Sequence, residues 1–224
     1  MWSKHEHVRV VAMTDTPTGP LRMTDHWWWR PGWSVGRQFY TWHLTFEDAP
    51  DVTRVVRDYH AYLDLPGLDI IPERWLHLTM QGIGFVDEVN EGDVDKMVSA
   101  AHDRLSALDP FVITLGPAVV DSEVVRLRVN PAEPVARLQR ELRAAIGKVW
   151  GSEHVPEDAA GFTPHVSVAY SNGDSDVRPI LKAVTATSPN PGTATIRHAD
   201  LILLNRDHQQ YEWATYAEVR LGIR

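Results

Sequence analysis

Two short stretches carry residue types that can do chemistry together: His77-Leu78-Thr79-Met80 and His165-Val166-Ser167-Val168. Each alternates in character, as a strand with one wet face does. Successive side chains of a strand point to opposite faces. His77 and Thr79 therefore share one face while Leu76, Leu78 and Met80 share the other, and His165 and Ser167 are set against Val166 and Val168 in the same way. Two such strands facing each other would surround a small polar ligand with two imidazoles and two hydroxyls. Imidazoles titrate near neutral pH and can serve as proton acceptor and proton donor. Hydroxyls can donate to developing negative charge on oxygen. That combination suits a phosphate ester.

A lone His-x-Ser/Thr means little without structural context. A third copy begins at His43. The elements around each copy separate the three. Phe39 to Phe46 alternates as a strand, with Tyr40, Trp42, Leu44 and Phe46 apolar on one side and Thr41, His43 and Thr45 on the other. The acidic segment Glu47–Asp51 suits a helix start, and Val52, Val55, Val56, Tyr59 and Leu63 follow at helical spacing. Pro66-Gly67 breaks that helix. Ile70-Ile71-Pro72 leads into the His77 strand, which Gly82 and Gly84 are expected to end.

A second helix is predicted from Val94, Met97, Val98, Ala101, Leu105 and Leu108, ending at Asp109-Pro110. Strands over 111–115 and 124–129 follow, joined by a turn at Asp121-Ser122. Pro131 and Pro134 open a third helix carrying Val135, Leu138, Leu142, Ile146 and Val149. A loop over 151–161 delivers the chain to the His165 strand. A short helix (Val177, Ile180, Leu181, Val184) and strands over 199–204 and 216–221 complete it.

The halves repeat. Strand 39–46, helix 52–63 and the His77 strand match strand 124–129, helix 135–149 and the His165 strand. Each unit delivers one His-x-Thr/Ser at its end, whereas His43 stands at the opposite end of its unit, where the second half has Arg128 or its neighbours. Two copies of such a unit imply an α+β or α/β arrangement with helices outside and the two imidazole strands facing a central cleft.

The N-terminal part is different. Residues 1–37 are read as a Trp-rich extension packing on a core domain of residues 38–224. The run Val8–Ala12 is apolar, Thr14–Pro20 is turn-rich, and the His5/His7 pair is read as solvated tail rather than as a metal site. Trp27, Trp28, Trp29 and Trp33 could stack on a nucleobase. The favoured reading is that they cover an open edge of the core, since tryptophan buries a large area wherever it packs.

Composition narrows the function classes. A 224-residue chain with 43% hydrophobic and 23% charged residues can build a full core. Its net charge of −8 argues against a broad footprint on duplex DNA or RNA, but leaves room for a local anion pocket. Without cysteine there is no thiolate nucleophile, disulfide or zinc–cysteine site. No apolar run approaches ~20 residues and the first residues lack a signal-peptide core, so a cytoplasmic protein is the expectation.

With its two motifs in a duplicated framework, the chain over roughly residues 38–222 resembles the 2H phosphoesterase superfamily, in particular the 2′-5′ RNA ligase-like and cyclic phosphodiesterase-like branch. The resemblance implies a bilobal fold with pseudo-twofold symmetry and metal-independent chemistry, without cofactor, on a 2′,3′-cyclic or 2′-5′ phosphodiester of a small nucleotide or RNA end. It carries over His77 and His165 as catalytic residues and Thr79 and Ser167 as phosphate binders. Serine stands at the second hydroxyl position, where the family more usually has threonine. His43, Tyr170, Trp42 and Arg37 are further candidates for the pocket, while Asp207-His208, in an expected hairpin loop, is given no role. Competing readings are 2′-5′ RNA ligation, which would be ATP-independent because no adenylation lysine motif is present, and a non-catalytic nucleotide or RNA-end binding module. A histidine-based metal hydrolase is disfavoured because Asp and Glu ligands are missing near both histidines. A monomer is expected.

Overall fold

The computed structural model describes residues 22–157 and 161–222. The His5/His7 pair, the Val8–Ala12 run and the Thr14–Pro20 turn lie outside them. Two antiparallel sheets form the body. In the first, the strand order is β11 (Glu212–Arg220), β10 (His198–Asn205), β2 (Phe39–Thr45) and β4 (His77–Phe85). In the second it is β3 (Leu68–Ile70), β7 (His165–Ser171), β6 (Val124–Asn130), β5 (Phe111–Val120) and β9 (Gly192–Ile196). A two-stranded ribbon joins β1 (Arg22–Met23) to β8 (Ser175–Asp176).

Among the described residues four helices cover the sheets: α1 (Pro50–Leu63), α2 (Glu91–Leu105), α3 (Ala132–Trp150) and α4 (Arg178–Ala186). The apolar stripes of α1 and α3 are largely the expected ones, whereas α2 buries Ala100 where Val98 was expected and α4 buries only Ile180 and Val184 of its expected set. α1 buries Val52, Val55, Val56, Tyr59 and Leu63, and α3 buries Val135, Leu138, Leu142, Ala145 and Ile146. A leucine-to-alanine change at sites this buried costs roughly 2–5 kcal/mol. α3 stops at Gly151, whose φ of 95° is open to glycine and strained for other residues.

The helices are exchanged between the two halves. α1 follows β2 of the first sheet but packs on β9, β7 and β3 of the second, beside α4. α3 follows β6 of the second sheet but packs on α2 and on β4 of the first. Arg143 of α3 donates to Gln81 Oε1 of β4 at 2.6 Å, and the Tyr59 hydroxyl of α1 accepts from the Ala118 N–H of β5 at 3.0 Å. The repeated units are therefore interlocked, with their imidazole strands β4 and β7 as neighbours between the sheets.

Several boundaries differ from the sequence reading. β4 runs through Gly82 and Gly84 to Phe85. These glycines serve close packing: a Cβ on Gly82 would lie 2.9 Å from the Phe39 ring, and one on Gly84 2.6 Å from Val89. α2 ends at Leu105, one turn early, and Leu108 is buried from the turn that follows. β5 continues past Gly116-Pro117 because a register shift between Leu115 and Ala118 takes the proline out of the ladder. β9 was not anticipated. Its inward side consists of Gly192, Ala194 and Ile196, and Gly192 lies so close to α1 that a Cβ would meet the Asp51 carbonyl oxygen at 2.7 Å.

The four tryptophans divide. Trp27 is buried and donates from Nε1 to Asp69 Oδ2 at 2.8 Å. Trp33 packs edge-on against Phe85 and near Phe39, whereas Trp28 and Trp29 are exposed.

Candidate active site

The two sheets face each other across a cleft of about 330 Å³, lined by His77, Thr79, His165 and Ser167 among others. Register explains why these four point inward together. His43 is opposite Thr79 and Thr45 opposite His77; in the other half Arg126 is opposite Ser167 and Arg128 opposite His165. The counterpart of His43 is therefore Arg126, which is tied to Asp121.

Each motif strand then carries a bulge at the same place. Trp42 pairs with Gln81, leaving Met80 as the extra residue, and Val125 pairs with Ala169, leaving Val168 as the extra residue. A bulge reverses the alternation beyond it. Gly82 and Tyr170 consequently line the cleft, and Gln81 turns toward α3. Plain alternation from His165 would have put Tyr170 on the apolar face. The pseudo-symmetric positions are thus unequal: one carries no side chain and is approached closely by Phe39 and Glu157, and the other carries a tyrosine.

Both imidazoles are held identically. His77 Nδ1 donates to the Trp75 carbonyl at 2.8 Å, and His165 Nδ1 donates to the Thr163 carbonyl at 2.8 Å. A carbonyl only accepts, so each Nδ1 carries hydrogen and each Nε2 is left for other chemistry. The short 3₁₀ turn Glu73–Trp75 supplies the first of these carbonyls. Burial lowers the pKa of His77 to about 4, with the neighbouring charge of His165 adding in the same direction. Burial also lowers His165, the more accessible of the two.

His43 lies face to face with His77, the ring centroids 4.5 Å apart and the planes at 4°. Its Nε2 is 3.4 Å from Thr79 Oγ1, its Nδ1 has no partner among the described residues, and burial holds its pKa well down. Tyr170 has one ring face taken by His26, which stacks on it at 4.0 Å, with Trp27 and Tyr211 edge-on around it. That packing leaves it poorly placed to stack on a base.

Trp42 and Arg37 require correction as pocket candidates. Trp42 is fully buried on the apolar side of β2, as its alternation requires, and does not line the cleft. Arg37 is engaged by Asp87 at 2.8 Å and Glu88 at 2.6 Å, over the Phe85 ring.

Other lining residues had no sequence signal. His26 bridges Glu123 Oε2 at 3.2 Å and the Tyr211 hydroxyl at 3.0 Å, and burial, then Arg30 and Arg206, lower its pKa to about 3. Arg206 and Tyr211 arrive from the β10–β11 hairpin, and Glu157 borders Gly82. Spacing could not reveal them, because they come from a loop and from the extension. Among the described residues one three-membered group has metal-ligand geometry: His198, Asp200 and Glu218, on β10 and β11. Its carboxylates already accept from Thr45 at 2.7 Å and Arg220 at 2.7 Å.

A two-lobed α+β fold with two His-x-Thr/Ser strands flanking one cleft is the architecture of a 2H phosphoesterase. The chain belongs to the 2′-5′ RNA ligase superfamily, whose family model matches residues 47–208. No curated protein sequence matches it. Solved structures share its fold. TT0787 of Thermus thermophilus superposes with a TM-score of 0.59 at 21% identity, covering 83% of this chain and 98% of that one. LigT of E. coli, in complex with 3′-AMP, gives 0.62 at 14% identity with the same coverage. A protein of unknown function from Agrobacterium tumefaciens, ATU0111, gives 0.51 at 15% identity, covering 80% and 85%.

Proposed function

We propose that this protein is a metal-independent phosphodiesterase that opens a 2′,3′-cyclic or 2′-5′ phosphodiester on a nucleotide or RNA end. The observation that carries this reading is the matched pair of imidazoles. Each is locked through Nδ1 to a backbone carbonyl, and each has a hydroxyl two residues on, lining the same cleft. The LigT complexes with 3′-AMP and with ATP support a small nucleotide as ligand of this fold.

In the proposed step, water attacks phosphorus and the P–O2′ or P–O3′ bond breaks. His77 Nε2 takes the water proton, and His165 Nε2–H gives a proton to the departing oxygen. Thr79 and Ser167 hydroxyls donate to the non-bridging oxygens. His77 is assigned as base because it is buried and stacked on His43, which disfavours its charged form. His165, less enclosed, is the acid. The carbonyls at Trp75 and Thr163 stabilise whichever imidazolium forms. In ligation a 5′-hydroxyl would take the place of water as nucleophile on a 2′,3′-cyclic phosphate, the P–O3′ bond would break, and the same two histidines would move the protons.

Incubation with 2′,3′-cyclic nucleotides in EDTA should yield a single nucleoside monophosphate isomer. Folded protein that turns over neither cyclic nor 2′-5′-linked substrates would leave the binding-module reading in its place.

The pH profile tests the assignment of roles. The base must be unprotonated, so kcat/KM rises with pH through about 4. The acid must be protonated, and its pKa is shifted below 6.5, so kcat/KM falls again before neutrality. An optimum on the acid side of 6.5 is expected; a plateau extending above pH 7.5 would reject these roles.

A further inference from the structure

Arg206 is only 3% exposed, yet no carboxylate among the described residues pairs with it. Nη2 donates to the His26 carbonyl at 3.1 Å, and Nη1 has no partner among the described residues. The guanidinium is flanked by the rings of Trp27, Trp33 and Tyr211, with centroids 5.6, 5.9 and 5.7 Å away. Cation–π contacts compensate only part of the cost of taking a charge out of water. A buried charge without a counter-ion calls for one.

Its location says where that counter-ion belongs. Arg206 lines the same cleft as the two histidines, on the side of Trp33, Phe39 and Leu204. Its contacts are the rings of Trp27, Trp33 and Tyr211 and the carbonyl of His26, and among the described residues none of them is His77 or His165, so the guanidinium stands to one side of the imidazole pair. The other arginine lining the cleft, Arg30, is already paired with Glu123 at 2.9 Å. Of the two carboxylates there, Glu123 is held by Arg30 and His26, and Glu157 borders Gly82.

We propose that Arg206 forms a second anion subsite, which takes a phosphate on O5′ of the ribose whose 2′,3′-phosphate lies between His77 and His165. The preferred substrate is then an RNA end or 5′-phosphorylated nucleotide rather than a bare cyclic nucleoside phosphate. A cleft of about 330 Å³ is at the lower end of ligand-pocket sizes and suits one nucleotide. This inference rests on the phosphodiesterase reading of the same cleft.

The test compares kcat/KM for 2′,3′-cyclic AMP with that for its 5′-phosphorylated form, in wild type and in Arg206→Gln and Arg206→Lys. Wild type should prefer the 5′-phosphorylated substrate by roughly 10- to 100-fold, the range of a hydrogen bond to a charged group. Arg206→Gln should bring the ratio close to one, and Arg206→Lys should restore part of it. Equal use of both substrates by wild type overturns the proposal. So does a preference that survives in Arg206→Gln, even if that variant melts at lower temperature, because Arg206 would then be only a clamp for the tryptophans. Calorimetry with adenosine 3′,5′-bisphosphate and adenosine 3′-monophosphate separates the subsite from the reaction. Tighter binding of the bisphosphate, lost in Arg206→Gln, supports the subsite even if neither cyclic substrate turns over; equal binding of both rejects it.

Discussion

His77→Ala and His165→Ala are each expected to lower kcat/KM by roughly 10²- to 10⁴-fold, the contribution of a positioned general acid or base. The two losses should not multiply in the double variant, because the residues act as a unit. Thr79→Val and Ser167→Ala remove the hydroxyls proposed to donate to the phosphoryl oxygens, and each should cost roughly 10²- to 10³-fold. Among the described residues each of these two imidazoles makes one hydrogen bond, to a backbone carbonyl. Circular dichroism of the variants should therefore match wild type, and a thermal melt separates lost chemistry from lost fold. Retention of more than about a tenth of wild-type activity in a well-folded His165→Ala would refute its role as acid.

Acid should destabilise this protein well above the pH at which carboxylates titrate. His26 has its pKa lowered to about 3, His77 to about 4, and His43 well below its usual value, in each case chiefly by burial. His60 and His165 are shifted in the same direction. The unfolded chain takes up protons on these residues near pH 6.5, while the folded chain does not. Stability is therefore full above 6.5 and is lost as pH falls toward the folded values. A group of this kind contributes up to about 1.4 kcal/mol per pH unit in that window, and the contributions of these histidines share one sign. His198 works the other way. Asp200 raises its pKa, so its contribution is present below 6.5 and lost as pH rises through the raised value. Ion-paired carboxylates such as Asp176, lowered to about 2, act only at still lower pH. Urea melts between pH 7.5 and 4.5 should show a steep fall in midpoint below pH 6. A midpoint unchanged down to pH 4.5 would mean that these histidines accept protons in the folded state.

The histidine strands were legible because alternation is a local property: one wet and one greasy face can be read from six residues. The helix stripes were legible for the same reason, and those of α1 and α3 were buried nearly residue for residue as expected. What could not be read depended on partners distant in the chain. The bulges at Met80 and Val168 are fixed by pairing with β2 and β6, and only they bring Tyr170 into the cleft. β9 was invisible because glycine and alanine give it a weak pattern, which close contact with α1 makes useful. Arg206 and His26 meet across 180 positions, so neither suggested the other.

The exchange of α1 and α3 between the sheets has a mechanical consequence. A pair of lobes joined by a simple hinge can swing apart to admit a ligand. Here, separating the sheets would tear each from the helix that roofs it, uncovering the apolar stripes of α1 and α3 at once. The gap between the two imidazoles is accordingly set when the chain folds, like the jaws of a fixed caliper, and a ligand must already have the right span to be gripped.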